Sequence, residues 1–239
     1  MKIAALMNTI NRYGLTSRVT EHNINSVGDH ELDLLISDNG SEDPRVIKWG
    51  KEVAFKHWDN GENIGNSAAK NVKLKFAMEN DYDFICILDN DIALPENWAD
   101  KAIETMATIE EKSGRPGMIG WSWRGHKASE ARNPYGVFTP KRVFGSWMAK
   151  RELFESVGYF VELSKYGYWD SEFNERCTAA GFVNAYPMES SRHLGDDMFD
   201  SVEYREFKDS ELRKATSFAS RIEEEGKLHI SWEERVYEH

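Results

Sequence analysis

Two carboxylates stand one residue apart at Asp89-Asn90-Asp91, directly after the apolar run FICIL at 84–88. Like charges this close oppose each other's ionisation unless a cation intervenes. Carboxylate oxygens are hard ligands suited to Mg2+ or Mn2+, and such ions share their coordination sphere with substrate phosphates. Three other apolar runs end in similar residues. The run 3–7 is followed by Asn8-Thr9-Ile10-Asn11-Arg12, and 32–37 by Asp38-Asn39-Gly40-Ser41. The run 53–58 is followed by Asp59-Asn60-Gly61-Glu62-Asn63. Asp, Asn and Gly also favour turns, so any single end has a purely structural reading. Four such ends together argue for one shared ligand edge. Neither G-x-x-x-x-G-K-[ST] nor G-x-G-x-x-G occurs, so no P-loop or Rossmann glycine turn would hold a phosphate-bearing ligand.

The elements that must position these residues are legible as alternating patterns. Runs 3–7, 32–37, 53–58 and 83–88 read as buried strands. Val19, Ile24 and Val27 give helical spacing over 16–27, with Thr16 as N-cap. Asp43-Pro44 opens a short helix, with proline tolerated in the first turn. Ala68, Ala69, Val72, Phe76 and Ala77 predict a helix over 66–79, and Pro95 starts another running to about residue 111. Strand–helix alternation with short connections implies a parallel α/β sheet, whose ligands bind beyond the carboxyl ends of the strands. Residues 112–151 hold three of the six prolines and read as loops and irregular strands, ending in a strand at 143–148. Helices at 150–157 and 170–180 and a strand at 182–186 follow. Residues 199–225 mix charges at helical spacing, and a tail runs from Lys227.

Composition bounds the function. The 239 residues allow one large domain or two small ones, and 40% hydrophobic with 30% charged residues is ordinary for a globular protein. The net charge of −11 argues against a generic nucleic-acid coat. Two cysteines, Cys86 and Cys177, make no disulfide framework and fit a reducing compartment. The opening MKIAALMNTINRYG is too short and too polar for a secretory leader, and no stretch approaches 18 apolar residues. The expectation is a soluble, cytoplasmic protein without a membrane span.

The order of NTINR, LLISDNGSED, NGENIGNSAAKN, LDNDIALP and GSWMAKRELFESVGYF…YGYWDSEF resembles glycosyltransferase family 2, over about residues 1–197. The resemblance implies a GT-A fold: a Rossmann-like, mostly parallel sheet flanked by helices, with an irregular acceptor-side region. Residues 198–239 would be a C-terminal helical extension and tail. It implies transfer of a sugar from a nucleoside-diphosphate sugar to an acceptor hydroxyl, with Mn2+ or Mg2+, in one inverting displacement. LDND matches the family's Asp-x-Asp motif, so Asp91 would ligate the metal and Asp89 would contact the ribose or a metal-bound water. Asp38 would bind the nucleobase or ribose. Thr9, Asn11, Arg12, Asn39, Asn63, Asn66, Lys70 and Asn90 complete the donor set. HLGDD resembles the late metal-binding loop, making His193 a further ligand. YWDSEF resembles the Glu-Asp-x-Asp segment, making Asp170 the general base and Glu172 a second candidate. Here the sequence departs from the family: Trp169 stands where the family has Glu before its base. Asp170 also has a bland reading as a helix N-cap, and His193 as a loop histidine.

Residues 112–151 carry nine Lys and Arg against one carboxylate, Glu130, in a chain of −11. Aromatic residues interleave them, and cations beside aromatics suit an anionic ligand with flat or sugar faces. Trp121, Trp123, Trp147 and Trp169 are therefore candidates for the acceptor side. The acceptor would be a glycan, a small molecule or a hydroxylated DNA base, the last needing to be flipped out or single-stranded. The bland alternative gives the cations to the donor diphosphate and Trp147 and Phe144 to the core. Phe199, Val202, Phe207, Leu212 and Phe218 could pack the C-terminal segment on the body or on a second subunit. The competing activities are a sugar nucleotidyltransferase, disfavoured by the absence of a glycine-rich basic loop after the first strand, and a binding module of the same fold without turnover.

Overall fold

A computed structural model describes residues 1–122, 134–140, 142–162, 164–167, 169–194 and 205–214. Seven strands form one mixed sheet in the order β3-β2-β1-β4-β7-β6-β8. These are β1 (Lys2–Thr9), β2 (Glu31–Asp38), β3 (Lys56–Asp59), β4 (Phe84–Ile87), β6 (Arg115–Gly120), β7 (Trp147–Lys150) and β8 (Phe182–Ala185). The first four run parallel, β7 is antiparallel to both β4 and β6, and β8 is parallel to β6. A two-residue ribbon joins β5 (Ile92–Ala93) to β9 (Arg192–His193).

Strand periodicity sorts the core into two layers. Ile3, Ala5 and Met7 of β1 face the same layer as Trp98, Ala102, Met106 and Ile109 of α4 (Trp98–Glu110). Ala4 and Leu6 face Leu74 and Ala77 of α3 (Asn66–Met78), Phe154 of α5 (Arg151–Val157) and Phe173 of α6 (Trp169–Ala179). A strand buried on both faces reads as a continuous apolar run, which is why β1, β2 and β4 were visible in the sequence. Helices α1 (Tyr13–Asn25) and α2 (Pro44–Val53) complete the first half. Among the described residues no helix is long and apolar enough to cross a membrane.

Several boundaries differ from the sequence expectation. Helix α1 begins at Tyr13, after Arg12 in the left-handed region (φ 58°), so Thr16 lies inside it, fully buried, rather than capping it. Val53 closes α2, and β3 starts only at Lys56. Helix α4 starts at Trp98, with Asn97 left-handed at φ 56°, rather than at Pro95. The expected strand at 143–148 is β7 at 147–150, and β6 arises inside the region read as irregular. Its sequence RPGMIG looks like a turn, yet a register shift lies between Pro116 and Ile119. There the Asn184 side-chain oxygen accepts from Met118 N (2.9 Å), and a Cβ on Gly117 would lie 2.3 Å from that oxygen. A glycine here marks an irregularity in a strand, not its end.

A helix over 205–214, α7, lies in the segment expected to be helical. The domain boundary expected at 197/198 lies outside the described residues, as does the tail.

Candidate functional site

The cleft is built from the carboxyl ends of β1, β2 and β4. In-register pairing sets Thr9 beside Asp38. Asp38 is fully buried and accepts from Thr9 Oγ1 (2.9 Å), Ser41 N (2.8 Å) and Ser41 Oγ (2.6 Å). Asn39 donates to Asn63 Oδ1 (2.8 Å) and accepts from Ile64 N (3.0 Å), which ties the β2 loop to the approach of α3. Gly40, at φ 85°, allows this closeness: a Cβ there would sit 2.7 Å from the Glu62 carbonyl carbon. Asn8 donates to Asn66 Oδ1 (2.6 Å), and that oxygen also accepts from Lys70 Nζ (2.6 Å). Asn8 Oδ1 in turn accepts from the buried Lys73.

The acidic loop after β4 is held from three sides. Asp89 N donates to Ser146 Oγ (2.9 Å), and Asn90 Nδ2 to Thr16 Oγ1 (3.1 Å). Leu194 N donates to the Asp91 carbonyl (2.8 Å), and Ile92 pairs with His193. The ribbon thereby brings the His193 imidazole Nε2 to 3.8 Å from Asp91 Oδ2, across about a hundred residues of chain. Arg12 Nη1 lies 3.4 Å from the same oxygen. Burial and the Asp89 charge push the Asp91 carboxyl above its usual range, against the pull of His193 and Arg12.

Asp170 lies in the first turn of α6, and its Oδ1 accepts from Ser171 N (2.8 Å). Burial raises its carboxyl; the Ser171 N–H and Lys70 oppose the rise, and Asp89 adds to it. Trp169, nearly buried, packs edge-on against Phe160 and carries the Lys70 ammonium 4.1 Å above its ring.

These groups line one cleft of about 560 Å³. Thr9, Arg12, Asn39, Asn63, Asn66, Lys70, Asp89, Asn90, Asp91, Trp169, Asp170 and His193 all face it. Two donor candidates do not. Asp38 is sealed behind Thr9, and Asn11 Oδ1 accepts from Glu42 N (2.9 Å) and Asp43 N (3.2 Å), shaping the loop instead.

Three further expectations are corrected. Glu172 does not face the cleft: it is buried in a two-pronged ion pair with Arg176, one turn along α6, and cannot meet a substrate hydroxyl. Trp121 is core, edge-on to Trp98, and Trp147 is core, packed among Phe154, Phe160 and Phe173. Trp123 lies outside the described residues. Four of the five described cations of the basic stretch are taken up in ion pairs. Arg115 pairs with Glu152, Arg142 with Glu175, Lys150 with Glu110 and Arg151 with Glu155.

The sequence reading missed the far wall of the cleft, formed by Phe144, Lys165, Tyr166, Phe207 and Leu212. The strap 164–167 links two helices here. Its Lys165 carbonyl accepts from Asn66 N (3.0 Å) at the start of α3, and Lys165 N donates to Glu211 Oε2 (2.8 Å) of α7. Phe207 and Leu212 read in the sequence as packing residues, which is the available signal; no motif marks the strap.

A metal fits the donor set. One half-buried carboxylate facing an imidazole nitrogen, with a second carboxylate opposing its ionisation, is a site that a divalent cation would relieve, and nitrogen favours Mn2+ over Mg2+. Among the described residues no three His, Cys, Asp or Glu form a full cage, so a metal here would share its sphere with ligand oxygens.

A mostly parallel sheet carrying an acidic loop at its ligand edge, crossed by one antiparallel strand and a late ribbon, is the GT-A fold of glycosyltransferases. Among solved structures the chain is similar to the mannosyltransferase PcManGT from Pyrobaculum calidifontis, in complex with GDP-Man and Mn2+. The TM-score is 0.61 at 17% identity, covering 92% of this chain and 64% of that one. It is also similar to residues 1–349 of TarS from S. aureus in complex with UDP, at TM-score 0.58 and 15% identity, covering 82% and 61%. The chain thus spans less than two thirds of the length of these structures. No protein-family model and no curated protein matches the sequence.

Proposed function

We propose that the protein is an inverting glycosyltransferase that takes a sugar from a nucleoside-diphosphate sugar. The observation that carries this reading is the convergence of Asp91, His193 and Asp170, from three distant segments, on one cleft of a GT-A fold. The structural neighbours complexed with GDP-Man, Mn2+ and UDP support it.

Asp91 and His193 would hold Mn2+, which when bound neutralises charge gathering on a leaving diphosphate. Thr9, Asn39 and Asn63 offer polar groups to the nucleoside at the ends of β1–β3. Arg12 supplies a cation beside Asp91 for phosphate oxygens. Asp170 accepts the proton of the acceptor hydroxyl as its oxygen bonds to the anomeric carbon. The anomeric carbon–phosphate oxygen bond breaks in the same step, and the diphosphate leaves with its electron pair. One displacement inverts the anomeric configuration and needs no covalent nucleophile. A raised carboxyl pKa makes Asp170 a stronger proton acceptor than a solvated aspartate. The acceptor is a glycan, a small molecule or a hydroxylated DNA base.

Asp170→Asn tests the reading. Transfer should fall by at least about a hundredfold, with nucleotide affinity within twofold of wild type. Full transfer by Asp170→Asn would remove the base assignment.

A further inference from the structure

We infer that Glu211 is a positioning residue for nucleotide binding: it latches α7 onto the strap 164–167 and so holds the outer wall at the nucleoside end of the cleft. The inference rests on the reading of the cleft as a nucleoside-diphosphate site.

Glu211 is 6% exposed, and its side chain does not line the cleft. Its two oxygens are divided between partners. Oε2 accepts from Lys165 N (2.8 Å), and Oε1 accepts from Lys214 Nζ (2.5 Å), three residues along α7. A carboxylate accepting from a backbone N–H makes a charge-assisted bond, stronger than a neutral one. Two glycines mark how closely the strap is held on either side. A Cβ on Gly65 (φ 99°) would lie 3.2 Å from Lys165 Cα. A Cβ on Gly167 (φ 81°) would lie 2.8 Å from Leu212 Cδ1. The first contact seats the strap on the loop before α3, and the second seats α7 on the strap.

The Lys165 carbonyl accepts from Asn66 N (3.0 Å), so hydrogen bonds run from Glu211 through the strap to the start of α3. That path ends among the asparagines of the strand ends. Asn63 Oδ1 accepts from Gly65 N (3.0 Å) and from Asn39 Nδ2 (2.8 Å), and Asn66 Oδ1 accepts from Asn8 Nδ2 (2.6 Å). These four side chains line one wall of the cleft, and Phe207 and Leu212 of α7 line the other. That part of the wall exists only where α7 docks. The helix lies beyond residues 1–197, over which the sequence resembles the family, so the resemblance does not supply it. A wall held in this way is coupled to the ligand it covers. Whatever factor the latch adds to nucleotide affinity, bound nucleotide adds to the latch.

The test is calorimetric titration of the full-length protein with UDP, GDP, CDP and dTDP in the presence of Mn2+, with thermal melting to check folding. Wild type is compared with Glu211→Ala, Glu211→Gln and Gly167→Ala. The nucleotide that binds wild type should bind Glu211→Ala about tenfold more weakly. Glu211→Gln keeps an oxygen for Lys165 N and should stay within about threefold of wild type. Gly167→Ala, whose Cβ presses on Leu212, should weaken binding as Glu211→Ala does. In wild type the same nucleotide should slow hydrogen exchange at the Lys165 amide. Where Glu211→Ala does not fold, Gly167→Ala and the exchange measurement decide. Wild-type affinity in Glu211→Ala, an equal loss in Glu211→Gln, or Lys165 exchange indifferent to nucleotide overturns the inference. So does a lowered melting temperature with affinity unchanged, which would make Glu211 structural only. A wild-type protein that binds none of the four is the failure of the nucleotide reading itself, distinct from a nucleotide-binding protein indifferent to Glu211.

Discussion

Two carboxylates two residues apart meet opposite fates in α6. Asp170 and Glu172 are separated by a single residue, yet Asp170 opens into the cleft and Glu172 turns into the core to bind Arg176. Arg176 also donates to the Val157 and Tyr159 carbonyls, so it clamps the end of α5 to α6. Removing one partner of a buried pair leaves the other charge uncompensated, which costs about 3–5 kcal/mol. Glu172→Ala should therefore lose stability of that order in denaturant unfolding, while its remaining folded fraction binds nucleotide like wild type. Asp170→Asn should show the reverse: near-native stability and lost transfer. A stable, inactive Glu172→Ala would reinstate Glu172 as a catalytic group. Local pattern could not separate the two; the resemblance ranked Asp170 first and Glu172 second, and the direction of each side chain, which pattern does not give, leaves only Asp170 on the cleft.

At the level of elements, the antiparallel strand β7 settles what the tryptophans do. Trp147 pairs with Ile87 of β4 and Gly120 of β6, which points its side chain into the layer under α5 and α6. There it stacks on Phe154 and Phe173 with ring centroids 5.9 and 5.6 Å apart. Trp147→Ala should cost about 3–5 kcal/mol in equilibrium unfolding, the usual loss for a large buried aromatic. A loss under about 1 kcal/mol would mean the ring is not core, contrary to this packing. β1, β2 and β4 were legible because each is a short apolar run ending in polar residues, whereas β3, Lys-His-Trp-Asp, is not apolar and the run read there begins in α2. β6 was not, because RPGMIG carries turn residues whose purpose is a register shift against β8. Four of the described cations of the basic stretch misled for a related reason: their partners, Glu110, Glu152, Glu155 and Glu175, lie outside it, and charge counting in one window does not see them.

Across the whole molecule, the site is a product of long-range closure. The strand ends, read from local pattern, supply one half of the cleft: Thr9, Asn39 and the Asp89–Asp91 loop. His193 reaches Asp91 only through the β5–β9 ribbon, and its place in the sequence reading came from resemblance rather than from periodicity. The opposite wall depends on Lys165, which joins the start of α3 to Glu211 of α7 by its two backbone groups. Such a strap has no sequence signature, since any non-proline residue offers the same N–H and C=O. The central claim is that this cleft binds a nucleoside diphosphate with a divalent metal. It is tested most directly by calorimetric titration of the pure protein with UDP, GDP, CDP and dTDP, each with and without Mn2+, alongside Asp91→Ala. The account predicts that one nucleotide binds, and that its affinity falls at least about tenfold when Mn2+ is withheld or Asp91 is removed. A folded protein that binds none of the four, or binds one equally well without metal and without the Asp91 carboxylate, would contradict it.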